Sequence, residues 1–283
     1  MHRTAAFIVG GYAFASIGMG TAYSPGVAQA DLAVAVVHAS GPMAGFDTCT
    51  APPLATMRVW RAKFSAAGIY IGGEDMACSY GNLSAAWVRA VQAIGWSLLP
   101  IYVGPQPSCD RYAGRIKPKV AAAQGRIAAN FAVQHAKAFG IGKGSPIYYD
   151  IEAYNRKNSR CANAVLTFLD AWDRQLRAKG YVSGVYSSAD SAVVSLDSTN
   201  RINGHRLAKP QAIWIALWNN QKNLTASPYL HRPAWSRADT SKQYTGPHRV
   251  KVGGIALDVD ADLIDSPVVH ASRPKAAPHP RGR

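Results

Sequence analysis

Two acids, Asp150 and Glu152, close the run Ser145-Pro146-Ile147-Tyr148-Tyr149-Asp150-Ile151-Glu152. Read as a strand, the run puts Ile147, Tyr149 and Ile151 on one face and Tyr148, Asp150 and Glu152 on the other. Neighbours on one face of a strand stand about 6.6 Å apart along it, from a rise of about 3.3 Å per residue. At that range one carboxyl can keep its proton while the other ionises. Cleaving a glycosidic bond needs this division of labour. The spacing does not choose between inverting and retaining routes, because side-chain rotamers span both carboxyl separations. The competing reading is a hydrogen-bonded structural acid pair. Composition favours chemistry: of 16 acids, the glutamates are Glu74 and Glu152, and charge on an apolar strand is costly to bury without a task.

The elements around this strand decide what the acids face. Strands are expected at 44–47, 68–72, 96–103, 146–152, 182–186, 211–217, 241–244 and 254–259. Helices are expected at 54–66, 83–94 (with Ser84 as a cap), 119–139 and 161–179, with a short one from Ala189. Residues 219–239 read as loop with a turn of helix near Trp235. Eight strands separated by helices or long connections predict an α/β fold, a single (β/α)8 TIM-type barrel, irregular around strands 6–8. A doubly wound open sheet is the alternative. In such a barrel the site lies at the C-terminal strand ends. Those ends carry Asp47, Tyr70, Tyr102, Asp150, Glu152, Tyr186, Trp214, Trp218, Gln243, Tyr244, Asp258 and Asp260. Ile, Val and Leu would face the helices, and Tyr, Trp, Asp and Glu the interior. Rings beside carboxylates suit a sugar, whose C–H faces lie on rings and whose hydroxyls bond to acids. The competing reading is that the aromatics merely fill the barrel.

The chain opens with Met1-His2-Arg3 and an apolar stretch to about Gly20, followed by the small-x-small signal Ala28-Gln29-Ala30. This reads as a secretory signal peptide over 1–30. A membrane anchor is the rival, but the stretch is short and broken by glycines, and no other segment is long enough to span a bilayer. The domain then covers 31–265, and a Pro-rich basic tail, expected to be disordered, covers 266–283. Cys49, Cys78, Cys109 and Cys161 form an even set, as in exported disulfide proteins, with three pairings open. Cys49 with Cys78 and Cys109 with Cys161 is favoured, because each pair follows neighbouring strands. They have no Cys-x-x-Cys or His-x-x-x-His spacing, so no metal site is expected, and no cofactor motif is present. The net charge of +15 suggests an acidic partner, although it also serves solubility. The run Gly140-Ile141-Gly142-Lys143-Gly144-Ser145 misses the phosphate-loop spacing and sits between helix and strand, the wrong order. No Gly-x-Ser-x-Gly elbow occurs, and the basic residues form no nucleic-acid module.

Gly45-Phe46-Asp47-Thr48-Cys49, Tyr70-Ile71-Gly72-Gly73, Pro100-Ile101-Tyr102-Val103-Gly104, Tyr149-Asp150-Ile151-Glu152 and Gly184-Val185-Tyr186 resemble the glycoside hydrolase-like family once called domain of unknown function 1906. The resemblance covers about 44–262. More distantly the chain is similar to the family-25 lysozymes, which share an early Asp, an Asp-x-Glu on the fourth strand, a Trp-rich sixth strand and a late Gln-Tyr followed by Asp. The resemblance implies the barrel, with Glu152 as general acid. Asp150 would help the substrate's N-acetyl group act as nucleophile. Asp47 with Asp258 or Asp260 would hold substrate or water. The expectation is an exported or envelope-associated, monomeric protein acting on a cell-wall polysaccharide such as peptidoglycan. The alternative is a barrel that binds wall glycan without turnover.

Overall fold

A computed structural model describes residues 36–37, 41–230 and 233–270. The signal-peptide reading of 1–30 and the tail from 271 onward lie outside them. Eight strands carry the fold: β1 (Met43–Asp47), β2 (Ala66–Gly72), β3 (Ser97–Tyr102), β4 (Pro146–Asp150), β5 (Val182–Ser188), β6 (Ala212–Ala216), β7 (Thr240–Val252) and β8 (Ile255–Ile264). Their hydrogen-bonded order runs β3-β2-β1-β8-β7-β6-β5-β4, and β4 pairs back onto β3, closing a barrel. Pairings from β1 round to β7 by way of β2, β3, β4, β5 and β6 are parallel. β8 is antiparallel to both its neighbours, β7 and β1, so the irregularity expected near the end of the chain is a reversed last strand. The reversal follows from the connection: β7 and β8 are joined at Gly253-Gly254, both at positive φ, a tight turn that leaves no length for a crossover helix.

Helices α1 (Leu54–Trp60), α2 (Ala85–Ala93), α3 (Ala121–Ala138), α4 (Ser159–Ala178) and the short α5 (Val194–Ser198) lie outside the sheet. Ser84 caps α2 by accepting from the Trp87 N–H at 3.1 Å, and Asn158 caps α4 from Cys161, each satisfying an orphan donor of a first turn. α3 packs on α4 at Gly125, where a Cβ would run into the Phe168 carbonyl. Between β6 and β7 a loop replaces a helix. Its buried Ala226, Leu230 and Trp235 cover the sheet, and a turn of 3-10 helix follows at Arg237–Asp239. Beneath this loop Lys242 is fully buried, its Nζ donating to the Thr225 carbonyl at 3.1 Å.

Two apolar layers result. The outer one, between sheet and helices, holds Phe46, Ile69, Ile71, Tyr149, Val185, Ile213 and Ile215. The inner one holds Leu99, Ile101, Tyr148, Trp214 and Ile264. Glycines make room for the large inner rings: a Cβ on Gly68 would strike Asp47 and Trp214, and one on Gly184 would strike Tyr148. The Tyr148 hydroxyl closes the floor by meeting Ser266 and the Pro267 carbonyl, each at 2.7 Å. Ser266 and Val268–Val269 are buried, and Val268–Val269 forms a short antiparallel pair with Val36–Val37 on the Leu98 edge. The ordered chain therefore runs past Asp265, beyond the boundary expected from composition.

Candidate active site

The C-terminal ends of β1, β4 and β5 and the Gln243 stretch of β7 converge on one group of acids. Asp150 is the last residue of β4 and almost fully buried. Glu152 stands just past the strand, half-buried on the wall of a cleft of about 300 Å³. That cleft is also lined by Tyr186, Asp190, Trp218 and Tyr229. A buried glutamine, Gln106, holds the acid pair from behind. Its Oε1 accepts from the Glu152 N–H at 2.9 Å, and its Nε2 donates to the carbonyls of Asp150 (2.9 Å) and Gly104 (3.0 Å).

Across the mouth, Asp47 at the end of β1 lies beside Asp260 of β8, its register partner. Gln243 links this side to the aromatics. It donates from Nε2 to Asp47 at 2.8 Å, and its Oε1 accepts from the Tyr186 hydroxyl (2.9 Å) and the Trp218 Nε1 (2.6 Å). Tyr70 stands within the field of Asp47, Asp150, Asp260 and Glu152, so these four carboxylates share one space.

Because the last strand runs backwards, its acids enter the barrel in descending order. Asp258 lies outside, exposed and paired with Arg249 at 3.0 Å. Asp260 is at the rim. Asp262 is buried opposite Gly45, where it accepts from the Trp214 Nε1 at 3.0 Å. The expectation that Asp258 and Asp260 both end the eighth strand at the site is corrected accordingly: Asp260 joins the cluster and Asp258 does not. Two aromatic assignments also change. Tyr102 faces outward, stacked on Trp172 and tilted against His135 and Tyr149, since Leu99, Ile101 and Val103 take the inner face of β3. Trp214 does face inward, but it is fully buried between Tyr148 and Tyr186, so it supports the site from below. Trp218 is 60% exposed at the rim. Tyr244 is half-buried, and burial, then the Asp262 charge, pushes its phenol up.

Burial dominates the electrostatics. It pushes the Asp47 carboxyl up to about 7, with Asp260 adding repulsion, and Asp260 up to about 6. Asp150 is held well above the carboxylate range by burial, then by Glu152 and Asp47, and Asp262 likewise by burial and Asp47. Glu152 is raised by burial and by Asp110. These directions follow from removing water from like charges in one cavity. The cluster can therefore hold protons near neutral pH, the condition for a carboxyl to act as an acid.

Asp110 sits on the 103–117 loop, which the Cys109–Cys161 disulfide ties to the start of α4; Cys49 joins Cys78. Both pairings are those favoured from strand order. Among the residues of this site that sequence reasoning missed are Gln106, Asp110 and Asp262. Asp262 had a visible signal, the alternation Asp258-x-Asp260-x-Asp262. The other two lie in a loop whose fold depends on the disulfide and on Gln106 itself. Among the described residues no group of three or more His, Cys, Asp or Glu has metal-binding geometry, and no helix is long and apolar enough to cross a membrane.

The family model described as "Rv2525c-like, glycoside hydrolase-like domain" matches residues 58–264. Among solved structures, the chain is similar to an uncharacterised protein of B. stearothermophilus (TM-score 0.51, 22% identity, 79% of this chain and 96% of that one). It is also similar to the Clostridium perfringens spore cortex lytic enzyme SleM (TM-score 0.50, 15% identity, 78% and 67%). A family 25 glycosyl hydrolase from Bacillus anthracis aligns with TM-score 0.46, 15% identity, and 81% and 92% coverage. The first two share the barrel fold. No curated protein matches the sequence.

Proposed function

Because the chain belongs to the Rv2525c-like, glycoside hydrolase-like domain family, we propose that it is an exported hydrolase of glycosidic bonds in a cell-wall glycan such as peptidoglycan. The observation that carries this reading is the contrast at the end of β4. Glu152 lines the cleft and is held toward its protonated form, while Asp150 is buried behind it. Glu152 gives its proton to the glycosidic oxygen as the C–O bond breaks. Asp150, held toward its protonated form, accepts through its unprotonated carboxyl oxygen from the N–H of a substrate N-acetyl group, whose carbonyl oxygen attacks the anomeric carbon. Water then opens that intermediate, returning a proton to Glu152. Asp47 and Asp260 bind hydroxyls or the water, and the rings of Tyr70, Tyr186 and Trp218 take the sugar's C–H faces. The spore-cortex-lytic role named for the Clostridium perfringens neighbour agrees with this substrate class, and two disulfides suit an oxidising, extracellular compartment.

The test is release of reducing sugars or muropeptides from purified walls by wild type and Glu152→Gln. Wild type should release them and the variant should lose at least a hundredfold in rate. Equal release by both removes Glu152 from the mechanism. The near-complete burial of Asp150, with its Oδ1 unpartnered, favours the second reading, a glycan-binding barrel without turnover. Tight wall binding with no release by either protein would establish that reading instead.

A further inference from the structure

A second recess, of about 520 Å³, shares no lining residue with the cleft. It lies where α4 ends and β6 begins, at the end of the barrel away from the acids. Arg174 and Arg177 of α4 form one wall, and Arg206 and Lys209 of the segment leading into β6 form the other. Two buried acids fix these cations from behind without lining the recess. Asp170 accepts from the Arg174 guanidinium at 3.0 and 3.1 Å and from the Ala208 N–H at 2.7 Å. Asp173 accepts from the Arg177 Nε at 3.1 Å. The Nη2 groups then donate across the recess, Arg174 to the Arg206 carbonyl (2.7 Å) and Arg177 to the Lys209 carbonyl (2.6 Å).

These bonds use the Nε and Nη2 edges of both arginines. The Nη1 groups have no partner among the described residues, and neither does the exposed Arg206 guanidinium. Lys209 donates to the Asp197 carbonyl at 2.7 Å, leaving two of its three N–H groups. Four cations with unspent donors thus line one recess. Guanidinium forks match the oxygens of phosphate closely. A membrane-binding face would add exposed aromatic or large apolar side chains. Here the apolar lining is Leu207, which is buried, with Ala208 and Ala234.

We propose that this recess binds phosphodiester groups of a soluble polyanion, so that the chain holds its anionic partner at a site separate from the cleft. The probe is a synthetic glycerol-phosphate oligomer titrated into the full chain at several salt concentrations. Arg206→Glu loses no side-chain partner and should fold normally. It is expected to weaken binding at least tenfold and to flatten the slope of log K against log salt by about one. Lys251→Glu makes the same charge change on the distant β7–β8 hairpin and should alter binding less than twofold. Arg174→Gln should weaken binding in protein whose melting curve shows it folded. Glu152→Gln should bind as wild type, which keeps this result separate from the fate of the cleft reading. Equal losses for Arg206→Glu and Lys251→Glu would mean that delocalised charge does the binding and would overturn the proposal. So would absence of oligomer binding, equal binding of polyglutamate, binding confined to phosphatidylglycerol vesicles, or loss of binding in Glu152→Gln.

Discussion

The acidity of Glu152 is set partly from outside its own strand, by Asp110 on the disulfide-tied loop. Asp110→Asn removes a neighbouring negative charge, so the Glu152 carboxyl should ionise more easily. The alkaline limb of wall-sugar release should then move to lower pH. A profile of kcat/KM against pH reads this, and an unmoved limb would count against Glu152 as the proton donor. Asp47 yields a stability prediction. Its folded value of about 7 lies above the ordinary aspartate value of 3.8, so the folded state binds its proton more tightly. That contribution is complete below about pH 4 and disappears as pH rises through about 7. Asp47→Asn cannot ionise, so its melting temperature relative to wild type should rise between pH 4 and pH 8, and an offset constant across that range would refute it. Much of this was legible at the level of residue types. Asp150-x-Glu152 and the run of acids near 260 stand out in the sequence, because carboxylates at period two on apolar strands have few structural uses. Gln106 and Asp110 did not stand out, because a loop residue's role depends on where tertiary structure brings it.

At the scale of elements, alternation read the faces of β2, β4, β5 and β6 well, since each has one inward residue that volume or charge marks clearly. It failed at β3, where Leu99-Pro100-Ile101-Tyr102-Val103 offers apolar side chains on both faces. The outer layer takes Tyr102 there because Trp172 of α4 supplies a ring to stack on. The direction of β8 was also hidden, because alternation reads the same along a strand in either direction. The 103–117 loop is the element most exposed to a single covalent bond. The disulfide closes a separation of 52 residues, for which denatured-chain entropy predicts about 4 kcal/mol of stabilisation. Cys109→Ala with Cys161→Ala should lower the unfolding free energy by about that amount in a denaturant titration. A loss below about 1 kcal/mol would show that the loop is held by its other contacts.

For the molecule as a whole, length and the rhythm of strands and helices were enough to reach the barrel, because a closed parallel sheet of eight units leaves few other ways to cover its faces. The domain's far edge was not legible. Val268-Val269 is too short to register as a strand, and its partner Val36-Val37 lies over 200 positions away. That small pair has a topological consequence. It brings residues 37 and 268 into register on the Leu98 edge, so the two ends of the described chain meet at the barrel floor. The turn at Gly253-Gly254 lies at the far tip of the β7–β8 hairpin. The chain should therefore tolerate being rewired, with a short linker from residue 270 to residue 36 and new termini opened between Gly253 and Gly254. Such a circular permutant should melt in one cooperative transition followed by circular dichroism. A permutant that is soluble but melts without a cooperative transition would mean that the hairpin must be continuous for the barrel to close.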